Sequence, residues 1–136
     1  MSSKYTFYDF IDADGDGSNV IKSWLNGEGK DSKGYFTMKI GHLETSPPPG
    51  SKDSFWDYPA TKPMKGEWSG FIELRKTGKV AYRLLAQRRD RNVYLVACGT
   101  HKNQNYTPNA TPQTALSRVN QMISNPTKYR RAHEYN

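Results

Sequence analysis

Two hydrophobic periods succeed each other along the first third of the chain. Residues 4–10 alternate with the period of two that is typical of a strand, which predicts a short first strand. After a polar turn at residues 12–17, apolar residues recur at three- and four-residue spacing. This pattern predicts one helix that Ser18 or Asn19 caps and that stops at Gly27, and a second over about residues 32–44. The three prolines at 47–49 end the helical region.

The second half begins with a different pattern. Residues 68–75, 80–87 and 93–98 form three apolar runs that short polar segments separate, which predicts three strands. Consecutive hairpins of this length pair antiparallel, with a turn at 76–79. Thr111 followed by Pro112 predicts a helix start, and Asn125 with Pro126 predicts its end. Residues 128–136 are predicted to be a basic, aromatic tail.

Length and composition limit the class of protein. The 136 residues suit one domain over 1–136. Cys98 is the single cysteine, so an internal disulfide is excluded and a reducing compartment is expected. The first ten residues do not resemble a signal peptide, and no apolar run approaches the roughly 20 residues of a membrane span. We therefore expect a cytoplasmic protein without a membrane partner.

Charge is distributed unevenly. Residues 1–74 contain 8 basic and 11 acidic side chains, whereas residues 75–136 contain 12 basic and 2 acidic ones. The excess positive charge of the second half predicts nucleic acid or an acidic protein as partner. A basic surface that serves only solubility is the simpler alternative.

Metal chemistry has little support in the sequence. Asp12, Asp14, Asp16 and Gly17 follow the first half of a calcium-binding EF-hand loop, but the position of the bidentate glutamate is occupied by Ser23. The three histidines are scattered, and Cys98 has no cysteine partner. We expect no metal and no cofactor.

The basic and aromatic side chains of the second half could form an RNA-cleaving site. Such a site needs a group that deprotonates the 2′-hydroxyl, a cation for the phosphate and an acid for the leaving oxygen. Arginine can supply the cation, and histidine, lysine or tyrosine the others. The alternative for Arg75 and Arg83 is a surface ion pair with Glu73 or Glu67.

Several short strings, in this order, resemble the RelE/ParE toxin superfamily, closest to its HigB-like, phage-derived branch. They are NVIKSWL at 19–25, MKG at 64–66, GFIELR at 70–75, VAYR at 80–83, residues 95–102, and the region from His101 to Arg118. The resemblance implies an α+β, RelE-like fold in which two N-terminal helices pack on a small antiparallel sheet, with a C-terminal helix. It also implies a toxin of a type II toxin–antitoxin pair, with a cognate antitoxin protein as partner.

The same resemblance implies roles for individual residues. RelE-like members cleave mRNA at the ribosome without a metal, which makes Arg83, His101, Arg75 and Tyr106 the expected catalytic residues. We expect RNA binding by Lys102, Arg88, Arg89, Arg130, Arg131 and Tyr135. Phe71 and Glu73 depart from the pattern, because RelE-like nucleases have lysines on this strand. Proton transfer would then fall to His101, Lys102, His133 or a tyrosine.

The sequence therefore favours a metal-independent endoribonuclease toxin that inhibits translation. One alternative is a non-enzymatic inhibitor that binds a protein such as gyrase, as ParE-like members do. Another is a decayed RNA-binding homologue, which the glutamate at position 73 makes conceivable.

Overall fold

The computed structural model describes residues 5–57, 61–76, 82–100, 106–107 and 110–134. Helices and strands follow one another along the described residues, with a short 3-10 turn at Gly66–Trp68. The elements are β1 (Thr6–Phe10), α1 (Val20–Gly27), α2 (Lys30–Thr45), β2 (Lys62–Pro63), β3 (Ile72–Lys76), β4 (Tyr82–Arg89), β5 (Asn92–Thr100), β6 (Tyr106–Thr107), α3 (Pro112–Ser124), α4 (Pro126–Tyr129) and β7 (Arg130–Ala132).

The strands of the described residues form one mixed sheet in the order β2-β3-β4-β5-β1-β7, with β6 paired to the far end of β5. Strand β1 runs parallel to β5, with Tyr8 beside Tyr94, and every other pair is antiparallel. The predicted meander of β3, β4 and β5 is confirmed. Its first strand starts at Ile72 rather than residue 68, after Gly70 at a φ of 96°. The predicted turn at 76–79 lies mostly outside the described residues.

The expected arrangement of two N-terminal helices on a small antiparallel sheet is wrong. The chain enters the sheet through β1 before either helix forms, and the sheet is mixed because β1 and β5 are parallel. A parallel pair needs a long crossover connection. Phe7 and Phe10 are both buried, on opposite faces of β1, so this strand lies inside the sheet and not at its margin.

The sheet has a helical layer on each face. Helices α1 and α2 cover one face, which we call the double-helix face, where Ile21, Phe36 and Ile40 pack on side chains such as Leu84 and Leu95. Helix α3 covers part of the other face, which we call the α3 face. There its buried residues Ala115, Val119 and Met122 belong to one apolar cluster with Phe10, Phe71, Leu85, Tyr94, Val96 and Ala97. A sheet covered in this way reads as continuous apolar runs, as residues 93–98 do.

Helix starts agree with the expected caps. The Asn19 side chain accepts a hydrogen bond from the backbone N–H of Lys22, so Asn19, not Ser18, is the cap of α1. At α3 the Thr111 hydroxyl accepts from the backbone N–H of Thr114, and the Thr114 hydroxyl accepts from the backbone N–H of Thr111. Pro112 occupies the first turn, where its missing N–H costs nothing.

Replacing Thr111 with alanine is expected to lower the free energy of unfolding by about 1 kcal/mol, because the first turn of α3 loses its cap. Chemical denaturation of the purified protein measures the change. Ser117→Ala, in the exposed middle of the same helix, is the matched control and should cause no loss. An equal effect of both substitutions would contradict the capping role.

The predicted C-terminal tail is largely structured. Residues 126–129 form α4, and Arg130–Ala132 add a strand at the edge of the sheet beside β1. The acidic turn at residues 12–17 holds this segment in place. The Asp14 carboxylate accepts a hydrogen bond from the Tyr129 hydroxyl at 3.0 Å and lies 3.6 Å from the Lys128 ammonium. That turn therefore contacts the C-terminal segment.

Candidate functional site

Strand register brings three of the four expected catalytic positions into one row. Arg75 of β3 lies beside Arg83 of β4, Arg83 beside Gly99 of β5, and Gly99 beside Tyr106 of β6. Neighbouring strands are about 4.8 Å apart, so the row crosses four strands within about 15 Å. Gly99 has no side chain and leaves a gap in the row between Arg83 and Tyr106. We call these four positions the arginine row.

Both arginines of the row bind one carboxylate. Arg75 Nε donates to Glu73 Oε1 at 2.6 Å, and Arg83 Nη1 donates to Glu73 Oε2 at 3.5 Å. The Glu73 and Arg83 side chains are only 3% and 8% exposed, whereas that of Arg75 is 30% exposed. The alternative of an ion pair with Glu73 is confirmed, and it is buried rather than at the surface. The cluster carries one net positive charge and opens to solvent at Arg75.

Local strand geometry explains how Glu73 reaches both arginines. Side chains two residues apart on a strand lie on the same face, so Glu73 and Arg75 are neighbours on β3. Glu73 also pairs with Leu85 in the sheet, which puts Arg83 diagonally across from it. A buried carboxylate is tolerated here because two guanidinium groups compensate its lost hydration. From the sequence, Glu73 was expected to be a departure from the pattern of the toxins that the chain resembles, whereas in the structure it lies between Arg75 and Arg83.

Three expected site residues, His101, Lys102 and Tyr135, lie outside the described residues. For Tyr106 only the strand position is described. The described side chains of the arginine row are therefore those of Arg75 and Arg83, with Gly99 beside Arg83.

The other expected RNA-binding arginines lie elsewhere. Arg88 and Arg89 end β4, five and six residues beyond Arg83, so Arg89 lies about 20 Å from the row along the strand. The Arg88 guanidinium lies over the rings of Tyr5 and Trp56 on the double-helix face, 6.0 and 5.8 Å from their centroids. The sheet therefore does not bring the basic residues of β4 together at one point.

Arg130 and Arg131 lie on β7, two strands away from β5. The Arg130 guanidinium lies over Tyr8 on the α3 face. Arg131 donates to the carbonyls of Thr127 and Arg130 instead. The two side chains therefore do not form one cationic cluster. Of the two, Arg130 is the one that faces aromatic side chains of the sheet.

A second buried polar contact, which the sequence did not indicate, joins the first strand to the C-terminal segment. His133 Nδ1 lies 2.7 Å from Asp9 Oδ1, and both side chains are buried. The Asn19 amide donates to the other oxygen of Asp9 at 3.0 Å. Burial raises the pKa of the nearby Glu44 carboxyl, and the charge of His133 opposes that rise. Nothing in the local sequence pairs residues 124 positions apart.

Neither a family model, nor a curated protein, nor a solved structure matches the chain. Within the described residues, no group of three or more His, Cys, Asp or Glu side chains could hold a metal ion. No described helix is long and apolar enough to cross a membrane.

Proposed function

We propose that the protein is an endoribonuclease that cleaves mRNA without a metal ion and acts as the toxin of a toxin–antitoxin pair. The observation that carries the proposal is the buried Glu73 carboxylate between Arg75 and Arg83, in a row that continues to Tyr106. RNA cleavage needs a base, a cation and an acid within a few ångströms of one phosphate. The row offers the first two in direct contact.

The two arginines are the phosphate-binding groups in this proposal. Arg75 is the more exposed of the two and meets the incoming phosphate first. The contact of Arg83 with Glu73 is long, at 3.5 Å, so a phosphate oxygen can replace it at small cost. Guanidinium groups bind phosphate oxygens in a planar, bidentate manner and stabilise the charge that develops in the transition state.

Glu73 is the proposed base. Its Oε1 atom is held by the short contact with Arg75, which leaves Oε2 to accept the proton of the 2′-hydroxyl. The 2′-oxygen then attacks the phosphorus and forms a cyclic phosphate, and the 5′-oxygen leaves with a proton from an acid. His101, two residues beyond Gly99 in the sequence, is the proposed acid, and Tyr106, whose strand position belongs to the arginine row, is proposed as the alternative acid.

The remaining parts of the proposal rest on the resemblance and on charge. Strings that resemble RelE/ParE toxins imply a ribosome-associated action on translated mRNA in the cytoplasm. The basic second half of the chain suits a cognate antitoxin that covers it with an acidic or amphipathic segment. Inhibition of a protein target such as gyrase would need the arginines but no base.

Induced expression in a bacterial host tests the function. The wild type should arrest growth and produce new, translation-dependent mRNA ends, and the double variant Arg83→Ala, His101→Ala should do neither. Lys52→Ala, which removes an exposed charge from the loop after α2, is the control and should behave as the wild type. Arrest with intact messages would indicate a protein target, and no arrest at matched expression would contradict the toxin proposal.

A further inference from the structure

A second cationic surface lies on the α3 face, at the end of the sheet that is far from the arginine row. Strand register aligns Gln87 of β4, Tyr94 of β5 and Tyr8 of β1 side by side. Arg89 continues β4 two residues beyond Gln87, and Arg130 approaches from β7 at the edge of the sheet. We call these five residues the stacking surface. It spans four adjacent strands.

Aromatic and guanidinium groups are layered on this surface. The rings of Tyr8 and Tyr94 stack with centroids 5.8 Å apart and planes 19° apart. The Arg130 guanidinium lies 4.1 Å from the Tyr8 centroid and 5.9 Å from that of Tyr94, and its Nη1 donates to the Tyr94 hydroxyl at 3.4 Å. Tyr94 is buried, whereas Tyr8 and Arg130 are half-buried. The packing holds a flat cation in a fixed orientation where solvent reaches it.

The charge of the stacking surface is not neutralised as it is at the arginine row. Arg89 is exposed, and its Nε donates to the amide oxygen of Gln87 at 2.7 Å. Within the described part of the chain, neither Arg89 nor Arg130 forms an ion pair with a carboxylate. Two positive charges therefore remain available to an anionic ligand at this end of the sheet.

We propose that the stacking surface binds a second segment of single-stranded RNA. This inference rests on the proposed function for the identity of the RNA, although the binding itself needs no cleavage. A base can stack on the outer plane of the Arg130 guanidinium, which Tyr8 supports from behind, and Arg89 can bind the adjoining phosphate. Layered arginine and aromatic groups suit unpaired bases, whereas a carboxylate-rich protein would need only the charge.

Helix α3 lies between the two ends of the α3 face. Its buried residues cover Leu85, Val96 and Ala97, which lie between the arginine row and the stacking surface. One RNA can contact both surfaces only if it passes around α3, over a separation of about 20 Å along β4. A dinucleotide can reach the row alone, and a chain of about 12 nucleotides can reach both. RNA length thus separates the two surfaces in an experiment.

Fluorescence anisotropy with a labelled, unstructured RNA of about 12 nucleotides tests the proposal. To keep the RNA intact, a 2′-O-methyl group replaces each 2′-hydroxyl, so that no 2′-oxygen can attack a phosphate. We expect Arg89→Ala with Arg130→Ala to weaken binding at least about tenfold and to lower the slope of log affinity against log salt by about 1.4 at most, which is about 0.7 for each charge lost. Lys30→Ala with Lys52→Ala removes the same charge from exposed positions on α2 and the loop after it, and should change affinity less than about twofold.

Arg130→Lys separates stacking from charge. It should keep the salt slope of the wild type but lose most of the affinity that stacking supplies, because an ammonium has no plane. Affinity for an uncleavable dinucleotide, which reaches the arginine row alone, should be unchanged in all of these variants, and thermal melting establishes that each is folded. If no cleavage occurs in any protein but RNA binding still depends on Arg89 and Arg130, the proposed function fails and this inference stands.

Two results would overturn the inference. One is that the double variant Arg89→Ala, Arg130→Ala binds RNA as tightly as the control double variant Lys30→Ala, Lys52→Ala. The other is a loss of binding to polyglutamate, but not to RNA, when Arg89 and Arg130 are replaced, which would assign the surface to an acidic protein partner.

Discussion

Replacing Glu73 with glutamine is expected to reduce RNA cleavage by about 10²–10⁴-fold, the usual contribution of a positioned proton-transfer group. The amide keeps the size of the side chain but cannot take a proton from the 2′-hydroxyl. Binding of an uncleavable RNA should be unchanged or tighter, because Arg75 and Arg83 lose the carboxylate that occupies them. Single-turnover cleavage and RNA affinity, measured on the same preparation, give the two values.

Glu67→Gln is the matched control for this substitution. Glu67 is exposed in the 3-10 turn that precedes β3, so its replacement removes the same charge outside the arginine row. It should cleave as the wild type does. Since Glu73→Gln leaves the buried Arg83 less compensated, thermal melting must show that the variant is folded at the assay temperature. Cleavage by folded Glu73→Gln at the wild-type rate would exclude Glu73 as the base.

Replacing His133 with alanine is expected to lower the free energy of unfolding by about 3 kcal/mol. The Asp9 carboxylate is 1% exposed and loses the contact with His133. It keeps the hydrogen bond that the Asn19 amide donates. A buried charge that loses its partner keeps its full desolvation cost. Urea denaturation of the two proteins measures the difference. The same substitution should release β7 from β1 and speed hydrogen exchange of its amides.

Glu134→Ala is the control for His133→Ala. Glu134 is the next residue and pairs with Lys22 at 3.2 Å, but the two side chains are 60% and 40% exposed. Exposed pairs contribute little, so a loss below about 0.5 kcal/mol is expected. Equal losses for the two variants would indicate that the end of the chain, and not the contact of His133 with Asp9, is what matters.

Local sequence patterns were sufficient to predict most of the longer helices and strands. The period of α1, the cap at Thr111 and the apolar runs of β3, β4 and β5 all have local causes that a sequence displays. The position of β1 inside the sheet was not predictable in the same way, because its pairing with β5 joins residues more than 80 positions apart. Strand β7 was missed because three residues are too few to show a period.

In the candidate site, too, some residues could be predicted from local sequence patterns, whereas others depend on contacts between distant parts of the chain. Arg75 and Arg83 stood out because they end or centre predicted strands in a basic region, and register then brings them together. The role of Glu73 depends on a diagonal contact between strands, which composition does not reveal. His133 depends on a contact with the first strand, and a lone histidine in a basic tail gives no sign of it.

The chemical ends of the cleaved RNA test the central claim most directly. Purified protein, incubated with ribosomes that translate a defined mRNA, should leave RNA fragments with a 2′,3′-cyclic phosphate and a 5′-hydroxyl. These ends require attack by the 2′-oxygen, which is the step assigned to Glu73, Arg75 and Arg83. Intact RNA, or products with a 5′-phosphate, would contradict the account.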